Sequence, residues 1–111
     1  MAKYILAIDQ GTTGSTALII DEAMNVLGRA NHEFPQIYPQ PGWVEHDPEA
    51  IIQSVEDAVR DAVEASGISA SSIAGIGITN QRETVVLWDR ETGAPLHNAI
   101  VWQCRRTSDR C

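Results

Sequence analysis

The 111-residue sequence predicts an α/β fold in which a helix covers one face of a mixed β-sheet. Short apolar runs separated by brief polar connectors come first, which is typical of strands that pair with their sequence neighbours. One amphipathic segment with clear helix signals follows, and further apolar runs come after it. Strands, then a crossover helix, then more strands indicate a sheet with both antiparallel and parallel pairs.

The first three strands are predicted at 4–9, 16–21 and 25–34, where aliphatic residues dominate. The connectors "QGTTGS" and "EAM" are short enough for tight turns between neighbouring strands. A loop is predicted at 35–43, because its three prolines fix backbone angles and remove hydrogen-bond donors.

The helix is predicted to begin after Asp47, which is a favourable N-cap, with Pro48 at its first position. Gly67 suits the left-handed residue that ends a helix. Apolar residues at three- and four-residue spacing predict the face packed on the sheet: Ile51, Ile52, Val55, Val59, Ala62 and Val63. The opposite, charged face is expected to be solvated.

Three more strands are predicted at 72–79, 84–89 and 97–102, with a turn at 90–93. The first of them is very apolar and is expected to be buried. Its glycines, Gly77 among them, suggest that another element packs closely on one face. Trp88 follows the strand alternation and is expected to pack.

Composition excludes several classes of function. A formal net charge of −7 argues against a general surface for nucleic acid or anionic membranes. No apolar run approaches a membrane-spanning length. Cys104 and Cys111 lack metal or redox spacing, which favours reduced thiols in the cytosol over a disulfide. A polar helix is expected to start near residue 102, so the chain is expected to be the front of a longer protein.

The stretch "DQGTTGST" joins the first two strands and is a candidate phosphate site. Gly11 and Gly14 let a ligand approach the backbone, and Thr12 and Thr13 add hydroxyl groups to the amide donors of the turn. Asp9 could hold Mg²⁺, which favours carboxylate oxygens and retains water. The alternative is a plain hairpin turn. The segment is no Walker loop, because it contains no lysine.

The stretch "TNQRE" follows an apolar strand and contains Arg82 beside Glu83. A guanidinium only donates hydrogen bonds and a carboxylate only accepts them, so together they can read the hydroxyls of a diol or triol. The carboxyl ends of strands in open α/β sheets are common ligand sites. The alternative is a solvated turn with a surface ion pair. Trp102 could supply an apolar wall, although a core position is the usual one for tryptophan.

The three histidines, His32, His46 and His97, show no metal-ligand spacing and are expected to be structural or on the surface.

The motifs "AIDQGTTGST", "FPQIYPQPGWVEHDP", "GIGITNQRET" and "NAIVWQCRRT" together resemble the FGGY family of carbohydrate kinases, and within it the glycerol kinases. The resemblance covers essentially the whole chain. It implies the ribonuclease-H-like fold of the actin-like ATPase superfamily, with residues 1–111 forming the N-terminal part of the first kinase domain. The remainder of that domain and the second domain would lie outside this chain. It also implies ATP and Mg²⁺ as cofactors, glycerol as substrate, and a cytoplasmic homo-oligomer without nucleic-acid or membrane partners.

The resemblance also assigns roles to single residues. Arg82 and Glu83 would bind glycerol hydroxyls, and Trp102 would pack on its carbon backbone. The nucleotide phosphates would contact the turn that contains Gly11, Thr12, Thr13 and Gly14, and Asp9 would lie near the metal. No residue of this chain is expected to be the catalytic base, which the family places well downstream.

The sequence departs from the family pattern at Gly14 and Thr16, where Ser and Arg are common. The missing arginine removes a cation near the phosphates. Two alternatives remain: a non-catalytic truncated product that folds partially, and a kinase for another polyol or sugar of the same family.

Overall fold

The computed structural model describes residues 3–108. Its elements, in chain order, are β1 (Tyr4–Gln10), β2 (Gly14–Ile20), β3 (Val26–Glu33), β4 (Glu45–His46), α1 (Pro48–Ser66), a 3-10 turn (Ala70–Ser72), β5 (Ile73–Asn80) and β6 (Ala99–Ile100). The main sheet has the order β3-β2-β1-β5, with β1, β2 and β3 antiparallel and β5 parallel to β1. The predicted mixed sheet with a crossover helix is therefore confirmed.

Helix α1 begins and ends as the sequence predicts. The side chain of Asp47 accepts a hydrogen bond from the Glu49 amide at 3.0 Å, which caps the first turn. Gly67 follows the helix with a φ of 73°, in the left-handed region where glycine carries no steric cost.

The face of α1 that packs on the sheet agrees only in part with the predicted apolar stripe. The buried residues of the helix are Ser54, Ala58 and Ala62, whereas Ile52 is exposed. Small residues let the helix approach the sheet closely: a Cβ added to Gly28 of β3 would lie 2.3 Å from the Ala62 carbonyl oxygen. The predicted stripe is therefore confirmed at Ala62 and, as partly buried packing on the core, at Val59 and Val63. It was wrong at Ile52, because the small residues at the centre of this face let the helix approach closely.

The chain after β5 forms less regular structure than the sequence predicts. No continuous strand covers 84–89, where single bridges join Val85 to Ile100 and Trp88 to Pro95. The predicted strand at 97–102 shrinks to β6, which pairs with β4 in a second, small sheet. Trp88 is exposed, so the packing prediction for it was wrong. The alternating pattern fails here because this hairpin pairs only at single bridges, and its large apolar side chains, Val85, Leu87 and Trp88, stay exposed.

Strand β5 is an edge strand among residues 3–108, and it is not buried as predicted. Ile76 and Ile78 are exposed, since α1 packs mainly on β2 and β3. A Cβ at Gly77 would have no described atom within 4 Å, so the predicted close packing there was wrong.

Residues 102–107 form turns and irregular structure rather than the start of the predicted helix, and residues 109–111 lie outside the described residues. Cys111 lies outside the described residues, so the choice between a thiol and a disulfide stays a prediction. No helix of the part that the structure describes is both long and apolar enough to cross a membrane.

Candidate functional site

The carboxyl ends of β1 and β5 bring two polar turns to the same edge of the sheet. The strands are parallel, and their last residues are in register, with Gln10 opposite Asn80. The turn after β1 (11–13) and the turn after β5 (81–83) therefore leave the sheet side by side. In open α/β sheets ligands bind at this kind of edge.

An open groove of about 420 Å³ lies between these two turns. Its lining consists of Asp9, Gln10, Gly11, Thr12, Asn80, Gln81, Arg82, Glu83 and Trp102. Most of the site residues predicted from sequence thus come together here, from three separate parts of the chain. Thr13 and Gly14 do not line the groove: Thr13 is exposed at the tip of the turn, and Gly14 is buried in β2.

The turn after β1 offers unused amide donors. The Gly11 amide donates to the Gly14 carbonyl at 2.9 Å, which closes the hairpin, and the Phe34 amide donates to the Thr13 carbonyl at 3.3 Å. Within residues 3–108, nothing accepts a hydrogen bond from the amides of Thr12 or Thr13. Adjacent free amides in a turn form a concavity that suits an anion.

Gly14 has a packing role in this structure. A Cβ at this position would lie 2.7 Å from the carbonyl oxygen of His32 on β3. In this structure a side chain here would require β2 and β3 to shift apart, and this packing constraint is independent of any ligand at the turn.

Arg82 and Glu83 are exposed, and neither forms an ion pair with another described residue. Glu83 has a φ of 54°, a left-handed conformation that is uncommon for residues other than glycine. Strained backbone of this kind concentrates at ligand-binding sites, because the surrounding structure must hold it. The Thr84 hydroxyl, 2.9 Å from the Gln81 side-chain oxygen, helps to fix this turn.

Trp102 faces the groove with 56% of its surface exposed, so the core position suggested by its residue type alone was wrong. The segment that carries it is also held by Arg106, which forms an ion pair with buried Glu45 and stacks 3.9 Å from the centre of the Trp43 ring. Asn98 donates to the second oxygen of Glu45 at 3.0 Å. The Arg106 hydrogen bond outweighs burial and holds the pKa of Glu45 below its usual range.

Sequence reasoning missed three groove residues, Gln10, Asn80 and Gln81, which flank the predicted motifs. Gln10 and Asn80 are the last residues of β1 and β5, and Gln81 directly follows β5, which is the signal that could have found them. From the sequence, His46 was expected to be structural or on the surface. The structure buries its side chain completely, which agrees with the structural alternative. Groups of three or more metal-binding side chains do not occur among the described residues, and Asp9 is an exposed carboxylate at one end of the groove.

A sequence model of the N-terminal domain of the FGGY family of carbohydrate kinases matches residues 4–111. The chain belongs to the FGGY family of carbohydrate kinases. Among curated relatives, it is 60% identical to a glycerol kinase from Allorhizobium ampelinum over its whole length, and 57% identical over 109 residues to glycerol kinase 2 from Thermotoga maritima. The FGGY chain spans 22% of the length of each of these relatives.

Solved structures of FGGY kinases have the same fold. The Plasmodium falciparum glycerol kinase with ADP superposes with a TM-score of 0.85 at 37% identity, over 98% of this chain and 22% of that one. A xylulose kinase from Brucella ovis gives 0.85 at 37% identity, over 92% of this chain and 21% of that one. The ribonuclease-H-like fold expected for this family is therefore confirmed.

Proposed function

We propose that the complete protein containing this chain, hereafter the parent protein, uses ATP to phosphorylate glycerol to glycerol 3-phosphate. One observation carries the proposal: a single groove brings the amide-rich turn at Gly11–Thr12 beside the Arg82–Glu83 pair. A kinase for a polyol needs both functions next to each other, one for the phosphates and one for the hydroxyls. Residues 1–111 would form the N-terminal part of the first kinase domain.

Glycerol recognition would rest on Arg82, Glu83 and Trp102. The arginine donates to a hydroxyl oxygen and the glutamate accepts from a hydroxyl proton, so two adjacent hydroxyls satisfy both side chains. Trp102 offers an exposed ring for the carbon backbone of the substrate. A site built this way rejects analogues that lack a hydroxyl, because its polar groups would lose their partners.

Phosphate recognition would use the free amides of Thr12 and Thr13 and the threonine hydroxyls, with Gly11 and Gly14 shaping the turn. The donors are neutral, which fits an anion site on a chain whose net charge is −7. One exposed carboxylate, Asp9, fits Mg²⁺ held mainly by phosphates and water. The ion would neutralise charge on the transferring phosphoryl group.

In the proposed reaction, a primary hydroxyl oxygen of glycerol forms a bond to the γ-phosphorus, while the bond to the β–γ bridging oxygen breaks and ADP leaves. The hydroxyl proton passes to a base, which this chain does not supply in our assignment. The chain's own residues would orient the hydroxyl and the phosphates, and positioning accounts for much of phosphoryl-transfer catalysis.

Two other functions remain to be tested. A kinase for a different polyol or sugar would share the phosphate turn, and the xylulose kinase from Brucella ovis is a structural neighbour at the same identity as the glycerol kinase. A non-catalytic truncated product would retain only weak ligand binding.

We further propose that the parent protein is a cytoplasmic homo-oligomer.

The test is an ADP-release assay on the parent protein with glycerol, xylulose and gluconate at matched concentrations. We expect glycerol to give the highest kcat/KM, because the curated relatives that are 60% and 57% identical to this chain are glycerol kinases. A preference for xylulose or gluconate would reject the glycerol assignment and favour the second function. The 111-residue chain alone should show no glycerol-dependent ADP release.

A further inference from the structure

A buried polar network connects the two turns that form the groove. His46 on β4 is fully buried between them, and its Nε2 lies 2.7 Å from the side-chain oxygen of Gln36. The Gln36 amide donates to the Thr12 carbonyl at 2.7 Å, in the turn after β1. On the other side, the amide nitrogen of Gln81 lies 3.4 Å from His46 Nδ1 and 3.2 Å from the side-chain oxygen of Gln10.

The donor and acceptor of each hydrogen bond in this network can be assigned without conflict. An amide oxygen only accepts, so His46 Nε2 must carry the proton that it donates to Gln36. Nδ1 is then left as an acceptor, which matches the donor that Gln81 presents to it. The resulting chain runs from Gln81 through His46 and Gln36 to the Thr12 carbonyl.

Burial keeps the imidazole in the neutral form that this direction requires. Desolvation lowers the pKa of His46, and its ring packs against Phe34 in a T-shaped arrangement, with 4.8 Å between ring centres. A second proton, on Nδ1, would face the Gln81 amide donor and break the link. The network is therefore a rigid, uncharged connection between the two turns. We do not assign His46 the role of the base that accepts the hydroxyl proton of the substrate.

We infer that His46 is a positioning residue for phosphoryl transfer, which sets the distance between the phosphate turn and the Arg82–Glu83 turn. The inference rests on the proposed function, because it assigns these two turns to the two substrates. The backbone pairing of β1 and β5 ends at Gln10 and Asn80. Beyond that point the Gln36–His46–Gln81 network, together with the Gln81 contacts to Gln10 and the Gly11 carbonyl, joins the two turns.

The test is steady-state kinetics on the parent protein carrying His46→Phe, which keeps a planar aromatic ring at this position and removes both ring nitrogens. A misplacement of about 1 Å between reacting groups costs on the order of 100-fold in rate, so we expect kcat to fall by about 10- to 100-fold. The KM for glycerol should change much less, since Arg82 and Glu83 remain. His46→Gln retains a donor near the Nε2 position and should recover part of the lost kcat.

Two further variants separate positioning from folding. Ser54→Ala removes another buried hydrogen bond, the 2.8 Å contact with the Ser15 hydroxyl, and has no part in the network. It should lower thermal stability while leaving kcat of the folded enzyme unchanged. The double variant His46→Phe/Gln36→Met should be little worse in kcat than His46→Phe alone, because residues that act as one unit are not additive.

The inference is overturned if His46→Phe keeps the wild-type kcat, or if the effects of His46→Phe and Gln36→Met on kcat multiply as independent losses. Equal loss of kcat in Ser54→Ala would assign the effect to stability and would also overturn it. Failure of the proposed function has a different signature, since the wild-type parent protein would then release no ADP with glycerol.

Discussion

Replacement of Arg106 by methionine should destabilise the protein strongly, because it leaves Glu45 buried without its cation. The side chain of Glu45 is 4% exposed and that of Arg106 is 16% exposed. Breaking a buried pair from one side costs about 3–5 kcal/mol. Asn98 still donates to one Glu45 oxygen at 3.0 Å, which favours the lower end of that range. Loss of the stacking contact on Trp43 adds about 0.5–2 kcal/mol.

Urea denaturation of the parent protein, followed by tryptophan fluorescence, measures this loss. The matched control is the double variant Glu45→Gln/Arg106→Met, which removes both charges and should recover much of the stability. A loss below about 1 kcal/mol, as for a surface ion pair, would refute the reasoning. A double variant as unstable as the single variant would refute it as well.

The pH dependence gives a second test of the same pair. Arg106 lowers the pKa of Glu45 in the folded state, so the pair's stabilisation is present above the unfolded pKa of about 4.3 and is lost as pH falls through the lower folded value. Arg106→Met removes the largest cause that lowers this pKa and leaves burial, which raises it, opposed mainly by the weaker Asn98 hydrogen bond. The stability difference between wild type and variant should therefore shrink as the pH falls below about 4.3.

Three further predictions concern the sheet, the helix and the buried histidine. Gly28→Ala should lower the free energy of unfolding by about 1–3 kcal/mol in urea denaturation, because its Cβ would lie 2.3 Å from the Ala62 carbonyl oxygen. The control is Gly77→Ala, which has open space around its Cβ and should not lower the free energy of unfolding. Asp47→Ala should cost about 1 kcal/mol through the lost cap, and an unchanged urea midpoint would contradict the cap. Because burial lowers the pKa of His46, wild-type stability should fall as pH drops below about 6.5, and His46→Phe should flatten that slope.

The sequence predicts the main sheet and α1 well because each element is decided by local patterns. Asp47, Pro48 and Gly67 mark the helix by their own backbone preferences, and the first strands are short aliphatic runs between turn residues. The region 84–102 is predicted less well, because its alternation is that of a strand while its backbone pairs only at single bridges.

The candidate site is likewise predicted in part by local sequence patterns, while other parts of it depend on contacts between distant residues. Arg82 and Glu83 follow a strand, and Asp9 and Thr12 lie at the end of another, so their arrival at one edge follows from parallel pairing. The Gln81–Gln10 contact joins residues 71 apart in the chain, and no local pattern indicates it. Trp102 is exposed and lines the groove although tryptophan usually packs in cores, and no local pattern in the sequence indicates this.

The central claim is that the groove between the two turns reads a polyol, and one comparison in the parent protein tests it most directly. Arg82→Met removes the groove guanidinium, while Arg90→Met removes an exposed guanidinium from a turn that does not line the groove. A hydrogen bond from a charged group is worth about 1.5–3 kcal/mol, so Arg82→Met should lower kcat/KM for glycerol by about 10- to 100-fold. The KM for ATP should stay near its wild-type value, and Arg90→Met should change neither constant. Equal kcat/KM for glycerol in both variants would contradict the account.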